Sequence, residues 1–181
     1  MVADDEDALI EKSAAGDGRA FGALVRTYER VLYNVALRMV RDPEDARDLV
    51  QTTFIKAYRK LDTFDRQHRF FSWIYRILIN ESLNLLSRRR PTEALDERLE
   101  SGERSPEERM DGRQTGELVQ GALMELSTDH REAIILRHFL ELSHREMSGM
   151  LSIPEKTVKS RLYTARQQLG EVLRRRGITW P

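Results

Sequence analysis

The 181-residue sequence contains no cysteine, which excludes a disulfide framework and any metal site built on thiolates. No apolar run approaches the roughly 18 residues that a membrane-spanning helix needs. The acidic start, Asp4–Asp7, is the opposite of the basic beginning of a secretory signal peptide. Prolines and glycines are few and charged residues many, a composition that favours amphipathic helices around small cores. We therefore expect a soluble, cytoplasmic protein.

The sequence also lacks the short motifs that mark several classes of enzyme. It has no GxxxxGK phosphate loop, no GxSxG and no HExxH pair. Its four histidines are dispersed, and its carboxylates are spread along caps and linkers. A metal-dependent hydrolase would need His and Glu gathered at helical spacing, so we predict no catalytic residue, metal ligand or cofactor, and no enzymatic activity.

The 30 basic and 30 acidic residues balance, but they are divided along the chain. Lys and Arg outnumber Asp and Glu by 15 to 8 in residues 19–90 and by 10 to 8 in residues 116–181. Acidic residues prevail by 6 to 1 in residues 1–18 and by 8 to 4 in residues 91–115. This alternation points to a polyanionic partner such as nucleic acid, although solvated helix faces would produce it as well.

Apolar residues recur at three- and four-residue steps and no strand pattern occurs, so the predicted fold class is all-α. A first helix is expected over residues 20–40. The second begins after Asp42, a good N-cap, and the third begins at Phe70 and closes at Pro91. Between these last two helices, residues 62–69 are predicted to form a loop.

Residues 91–115 contain little apolar surface and many charges, so burial cannot offset the entropy of ordering them. They are predicted to be a flexible acidic linker. The chain would then consist of two small helical domains, residues 19–90 and residues 116–176.

The strongest local pattern lies in residues 142–162. A capping box, Ser143-His-Arg-Glu146, opens a short helix that is followed by a break at Ser152-Ile-Pro154 and a long basic helix. This order is typical of a helix-turn-helix, whose second helix enters the major groove. An ordinary αα-hairpin with a solvated basic face is the alternative. In the long helix, the predicted core-facing residues are Val158, Leu162, Ala165 and Leu169. The predicted groove-facing residues are Lys156, Lys159, Ser160, Tyr163, Thr164 and Gln167.

Between Lys56 and Arg76, cationic side chains are interleaved with aromatic ones, a mixture that suits unstacked bases of a single strand. Two of the aromatic residues, Phe70 and Trp73, also lie on the apolar stripe of the third helix. For these two residues the pattern therefore favours core packing over a role as base platforms.

With both blocks placed, the chain resembles the extracytoplasmic-function group of sigma-70 RNA polymerase sigma factors over residues 19–90 and 117–174. The first motif is Asp45-Ala-Arg-Asp-Leu-Val-Gln-Thr-Thr-Phe54, with Lys56-Ala-Tyr58, Phe64, Trp73 and Arg76-Ile-Leu-Ile-Asn80. The second motif is Leu126, Arg131-Glu132, Leu136-Arg137 and Thr157-Val-Lys-Ser-Arg-Leu-Tyr-Thr-Ala-Arg166.

The resemblance implies a factor that binds core RNA polymerase and directs transcription from a promoter, under the control of an anti-sigma factor. Residues 19–90 would form the family's second conserved region and residues 116–176 its fourth. The acidic linker would thread the nucleic-acid channel of the polymerase or form a solvated tether. An autonomous helix-turn-helix regulator remains the alternative function, but it would have no need of the segment 45–54.

The resemblance also implies three sets of contact residues. The set that docks on the clamp helices of the polymerase's largest subunit is Asp45, Asp48, Leu49, Gln51 and Phe54. The set that contacts the melted minus-ten element and captures a flipped base is Lys56, Lys60, Phe64, Phe71, Trp73, Arg76 and Asn80. The set that contacts the minus-thirty-five element is Lys156, Thr157, Lys159, Ser160, Arg161, Tyr163, Thr164 and Arg166.

Overall fold

The computed structural model describes residues 2–93 and 112–178. Within these ranges the chain forms helices and no strand, which confirms the all-α prediction. Eight α-helices are present in the described ranges: α1 Val2–Ala14, α2 Gly18–Val40, α3 Pro43–Arg59, α4 Phe70–Glu93, α5 Gly112–Met124, α6 Thr128–Ile134, α7 His144–Leu151 and α8 Glu155–Arg175. A 3₁₀ turn, Leu61–Thr63, follows α3, and a π-helical turn, Ile135–Phe139, continues α6.

Contacts between Cα atoms divide the chain into two compact units, Met1–Leu83 and Asn84–Pro181, called unit one and unit two below. The predicted linker, residues 91–115, falls largely outside the described residues. None of the helices within the described ranges is both long enough and apolar enough to cross a bilayer.

Helix α1 was not predicted from the sequence. Its apolar stripe is short, so its periodicity is weak, and the helix is ordered by packing against α2. Ile10 is 3% exposed, and the Ser13 hydroxyl bonds back to the Leu9 carbonyl at 2.6 Å. Tertiary packing thus decided the conformation where the sequence pattern was weak.

Helices α2 and α3 begin at aspartate caps. Asp17 accepts hydrogen bonds from the backbone N–H groups of Arg19 and Ala20, and Asp42 accepts from those of Glu44 and Asp45 at 2.8 and 3.0 Å. The predicted start of the second helix is therefore confirmed, and the negative charge of each cap also favours the helix N-terminus.

Helix α4 begins at Phe70 as predicted and ends at Glu93, two residues beyond the expected end at Pro91. The preceding residues 64–69 have no regular secondary structure, as the loop prediction requires, although the 3₁₀ turn includes Asp62 and Thr63.

Unit two is built around α8, which packs against α5, α6 and α7. The core residues buried around α8 include Ala122, Leu123, Leu126, Ile134, Ala165, Val172 and Leu173.

Arg131 is also buried in unit two, and it ties α6 to the end of α5. Its Nε donates to the Leu123 carbonyl, and its Nη2 donates to the carbonyls of Met124 and Leu126, at 2.9, 2.9 and 3.3 Å. Burial lowers the pKa of Arg131 to about 10, so the guanidinium remains charged at neutral pH. It donates to carbonyls at and just beyond the C-terminal end of α5, where intrahelical donors run out.

Candidate nucleic-acid interfaces and docking groove

The two helices α7 and α8 have the predicted helix-turn-helix order. Ser143 and Glu146 form the reciprocal capping box: the Ser143 N–H donates to Glu146 Oε2 at 2.9 Å, and the Glu146 N–H donates to Ser143 Oγ at 3.2 Å. Ser152 ends α7 in the left-handed region, at φ 55°. The Ser148 hydroxyl donates to the Ile153 carbonyl at 2.6 Å, which holds the turn before α8 begins at Glu155.

Helix α8 has one buried side and one exposed side, as predicted. Val158, Leu162 and Ala165 are at most 1% exposed, and Leu169 packs against the same core from a partly buried position. The opposite side presents polar residues together with Tyr163, which is 68% exposed. Glu155 is exposed as well, and its Oε1 lies 3.7 Å from the Nζ of Lys159. The other exposed residues in this part of α8 are Lys156, Thr157, Lys159, Ser160, Tyr163, Thr164, Arg166 and Gln167.

Two arginines of α8 contact neighbouring elements. Arg161 is partly buried and lies 3.1 Å from Asp129 of α6, so it joins two helices as well as carrying charge. The Nε of Arg166 donates to His138 Nε2 at 3.3 Å. Burial and the guanidinium groups of Arg166 and Arg137 lower the pKa of His138, which keeps its ring neutral and able to accept this bond.

The predicted polymerase-docking set is divided by the fold between core and surface. Leu49 and Phe54 are 6% and 7% exposed, and the Phe54 ring meets the Phe21 ring of α2 edge-on. Asp48 and Gln51 are exposed, and Asp45 is partly buried in the first turn of α3. Of this set, only Asp48 and Gln51 are exposed, while Leu49 and Phe54 hold α3 against α2.

A groove of about 960 Å³ lies between α2 and α3, beside Gln51, and it was not predicted. Ile55 and Tyr58 line it and are 46% and 44% exposed. Both follow the docking motif by a few residues, and Ile55 lies off the buried stripe, a signal that could have revealed the groove. Its lining also carries four arginines: Arg26, Arg30, Arg47 and Arg59.

Part of the predicted minus-ten set comes together at the beginning of α4. The Phe64 ring centroid lies 5.3 Å from that of Trp73, and both pack on Phe70, at 5.5 and 5.6 Å. Phe70 is 2% exposed and belongs to the core, whereas Trp73 is partly exposed. The spacing of Trp73, Arg76 and Asn80 places all three on one side of α4.

Phe71 lies on another side of α4, where its ring packs against Tyr28 at 5.8 Å and Tyr75 at 6.0 Å. Lys56 is also engaged: its Nζ lies 2.6 Å from Glu81 Oε1, an ion pair that joins α3 to α4. Lys60 is exposed at the end of α3. The structure thus groups Phe64 and Trp73 but not Phe71 with them.

Comparison with known families gives two matches along the chain. The model described as Sigma-70 region 2 matches residues 24–92, and the one described as Sigma-70, region 4 matches residues 116–169. The RNA polymerase sigma-H factor of Pseudomonas aeruginosa is 34% identical over 96% of each chain. The ECF RNA polymerase sigma-E factor of Escherichia coli K12 is 35% identical over 91% of this chain and 92% of its own.

Solved structures show the same relationship. CnrH, solved in complex with the cytosolic domain of CnrY, matches with a TM-score of 0.72 and 28% identity, over 93% of this chain and 97% of its own. The sigma factor RpoE of Bartonella quintana, solved with the anti-sigma factor NepR, matches with a TM-score of 0.66 and 28% identity, over 85% and 96% of the two chains.

Proposed function

This chain belongs to the extracytoplasmic-function sigma factors of the sigma-70 family, and from that premise we propose how its two units divide promoter recognition. Unit one binds core RNA polymerase and the melted minus-ten element. Unit two reads the minus-thirty-five element as a duplex. The chain works by binding rather than catalysis, and it works in the cytoplasm, where the polymerase and the promoter are.

The observation that carries this proposal is the groove between α2 and α3. A helix-turn-helix alone would suit any DNA-binding regulator, whereas the exposed Ile55 and Tyr58 beside Gln51 give unit one a surface for a protein partner. Asp48 and Gln51 supply polar contacts to the polymerase clamp helices. Leu49 and Phe54 support that surface from within the core.

The minus-ten surface centres on Trp73 and on the small exposed part of the Phe64 ring. An unstacked base needs an aromatic face and polar groups that recognise its edge. Trp73 is the partly exposed ring, and Arg76 and Asn80 follow it along the same side of α4. Lys60 is the predicted cation for the adjoining phosphate, because Lys56 already pairs with Glu81.

The minus-thirty-five surface is the exposed side of α8. A helix in the major groove brings only three or four side chains to base edges, and flanking cations meet phosphates. Lys159 and Ser160, at the centre of the exposed side, are proposed to specify sequence. Arg161 and Arg166, each held by a neighbouring element, are proposed to position the helix on the backbone.

An anti-sigma factor is the proposed regulator. The RpoE protein of B. quintana was solved with an anti-sigma factor bound, and its match to this chain covers 85% of the sequence. Such a regulator would act by occupying surfaces that the polymerase needs.

The proposal is tested by in-vitro transcription with core polymerase on a promoter library, comparing the wild-type chain with the pair Asp48→Ala and Gln51→Ala. We expect promoter-specific transcripts with the wild-type chain and weaker core binding, at unchanged helicity, with the double variant. A chain that binds duplex operators equally well without polymerase and stimulates no transcription would instead be an autonomous regulator.

A further inference from the structure

Tyr28 of α2 lies among the aromatic side chains of unit one, yet it belongs to none of the predicted contact sets. Its ring centroid is 5.7 Å from Phe70 and 5.8 Å from Phe71, the first two residues of α4. Phe70 in turn touches Phe64 and Trp73, at 5.5 and 5.6 Å. Tyr28 is therefore one ring removed from the proposed minus-ten surface.

The hydroxyl of Tyr28 is held by α1. It donates to Glu6 Oε1 at 2.8 Å, and burial together with this hydrogen bond raises the pKa of Tyr28, so the phenol remains a donor at neutral pH. Helix α1 is itself fixed by packing on α2, with Ile10 buried, and it also contacts the 3₁₀ turn Leu61–Thr63. The turn lies just before Phe64.

The direction in which α4 leaves the loop depends on this packing. Residues 64–69 have no regular secondary structure, and their backbone contacts include a turn at Asp65 and the bonds from the Ser72 and Trp73 N–H groups to the Arg69 carbonyl. The rings packed on Phe70 and Phe71 add a second restraint on the first turn of α4. Tyr28 contacts both Phe70 and Phe71 and thus holds that turn from one side. Trp73 lies in the same turn, so a small shift of the helix start would displace its ring from a stacked base.

We infer that Tyr28, anchored by Glu6, is a positioning residue for minus-ten recognition. The inference rests on the minus-ten surface proposed above. Tyr28 acts through Phe70 and Phe71 on the placement of Trp73 and Phe64, and it touches no DNA itself. Helix α1, which precedes the matched family region, thereby contributes to promoter recognition.

The test uses the full chain bound to core polymerase, on fork DNA whose minus-ten element is single-stranded. Affinity and minus-ten base preference are measured for Tyr28→Leu, Tyr28→Phe, Glu6→Ala and the Tyr28→Phe/Glu6→Ala pair. Thr27→Ala is the matched control, because it removes an exposed hydroxyl from the position of α2 that precedes Tyr28. Core binding and melting temperature are measured for every variant.

We expect Tyr28→Leu to lower minus-ten affinity about tenfold and to flatten base preference, a loss comparable to that of one stacked base. Tyr28→Phe and Glu6→Ala should each lower it about threefold, because both remove the same hydrogen bond. The pair should be no worse than either single variant. Core binding should stay at the wild-type level, and Thr27→Ala should be unchanged throughout.

Unaltered minus-ten affinity of the folded Tyr28 and Glu6 variants would overturn the inference. It would also be overturned if a variant lost as much affinity for core polymerase as for DNA, and lost DNA affinity equally on every minus-ten base variant, because that result indicates a purely structural role. Should Tyr28→Leu fail to fold, Tyr28→Phe and Glu6→Ala decide the matter by the same criteria. A wild-type holoenzyme that ignores the minus-ten sequence would overturn the proposed function and this inference with it.

Discussion

The two units both present a candidate DNA surface, but they differ in how that surface relates to the core. In unit one the rings of Phe64 and Trp73 pack directly on the buried Phe70, so the surface is the outer edge of the core. In unit two the exposed side of α8 lies opposite Val158 and Leu162, which form the core on the other side of the helix. Recognition and stability are thus joined in unit one. In unit two they are separated at Lys159, Ser160 and Tyr163, although Arg161 and Arg166 also contact neighbouring elements.

The largest effect is expected at Arg131, which belongs to the core of unit two and not to its DNA surface. Arg131→Met should lower the free energy of unfolding of unit two by about 3 kcal/mol, because the carbonyls of Leu123, Met124 and Leu126 each lose a charged hydrogen-bond donor. The measurement is urea unfolding, with the exposed Arg145→Ala as the control. A change in minus-thirty-five base preference in the folded variant would break the separation of core and surface.

The next prediction compares the stability loss on removing one aromatic side chain from each DNA surface. Trp73→Ala should lower the free energy of unfolding of unit one by about 2 kcal/mol, since a half-buried ring leaves Phe64 and Phe70 poorly packed. Tyr163→Ala should change that of unit two by less than about 0.5 kcal/mol, since its ring is exposed. Equal losses in urea unfolding would show that the two surfaces do not differ in this way.

The smallest effect concerns two lysines of unit one that the sequence pattern treats alike. Lys60→Ala should lower the slope of log affinity against log salt concentration for minus-ten binding by about one, because one phosphate contact is lost. Lys56→Ala should leave the slope nearly unchanged, because Lys56 pairs with Glu81. Affinities of the holoenzyme at several salt concentrations provide the measurement. A slope that falls more for Lys56→Ala would show that this ion pair opens when DNA binds.

The two units also differ in how much of their structure could be predicted from the sequence. The boundaries of α7 and α8 were predicted because a capping box, a break and a two-sided helix are local patterns. The two sides of α8 followed from its period of 3.6 residues. The apolar stripe of the third helix indicated a core position for Phe70, and its 2% exposure confirms it. The separate placement of Phe71 was not predictable, because it depends on a contact with Tyr28 of α2 that no local pattern encodes.

The same reason explains the other features that were missed. Helix α1, the groove beside Gln51 and the carbonyl contacts of Arg131 are all formed by residues distant in sequence or on different helices. The resemblance named Leu49 and Phe54 together with Asp48 and Gln51 because they form one motif. The apolar period of the second helix separates the two pairs, and the fold confirms that Leu49 and Phe54 are buried while Asp48 and Gln51 are exposed.

The most direct test of the account compares Lys159→Ala with Arg166→Ala in holoenzyme bound to fork-junction promoters that differ in the minus-thirty-five element, at several salt concentrations. Lys159→Ala should relax preference at one base position, with a loss of about 1–3 kcal/mol on the preferred sequence. Arg166→Ala should weaken every sequence alike and lower the salt slope by about one. If Lys159→Ala instead weakened all promoter variants equally, with base preference intact, the claim that the exposed side of α8 reads sequence through Lys159 would be contradicted.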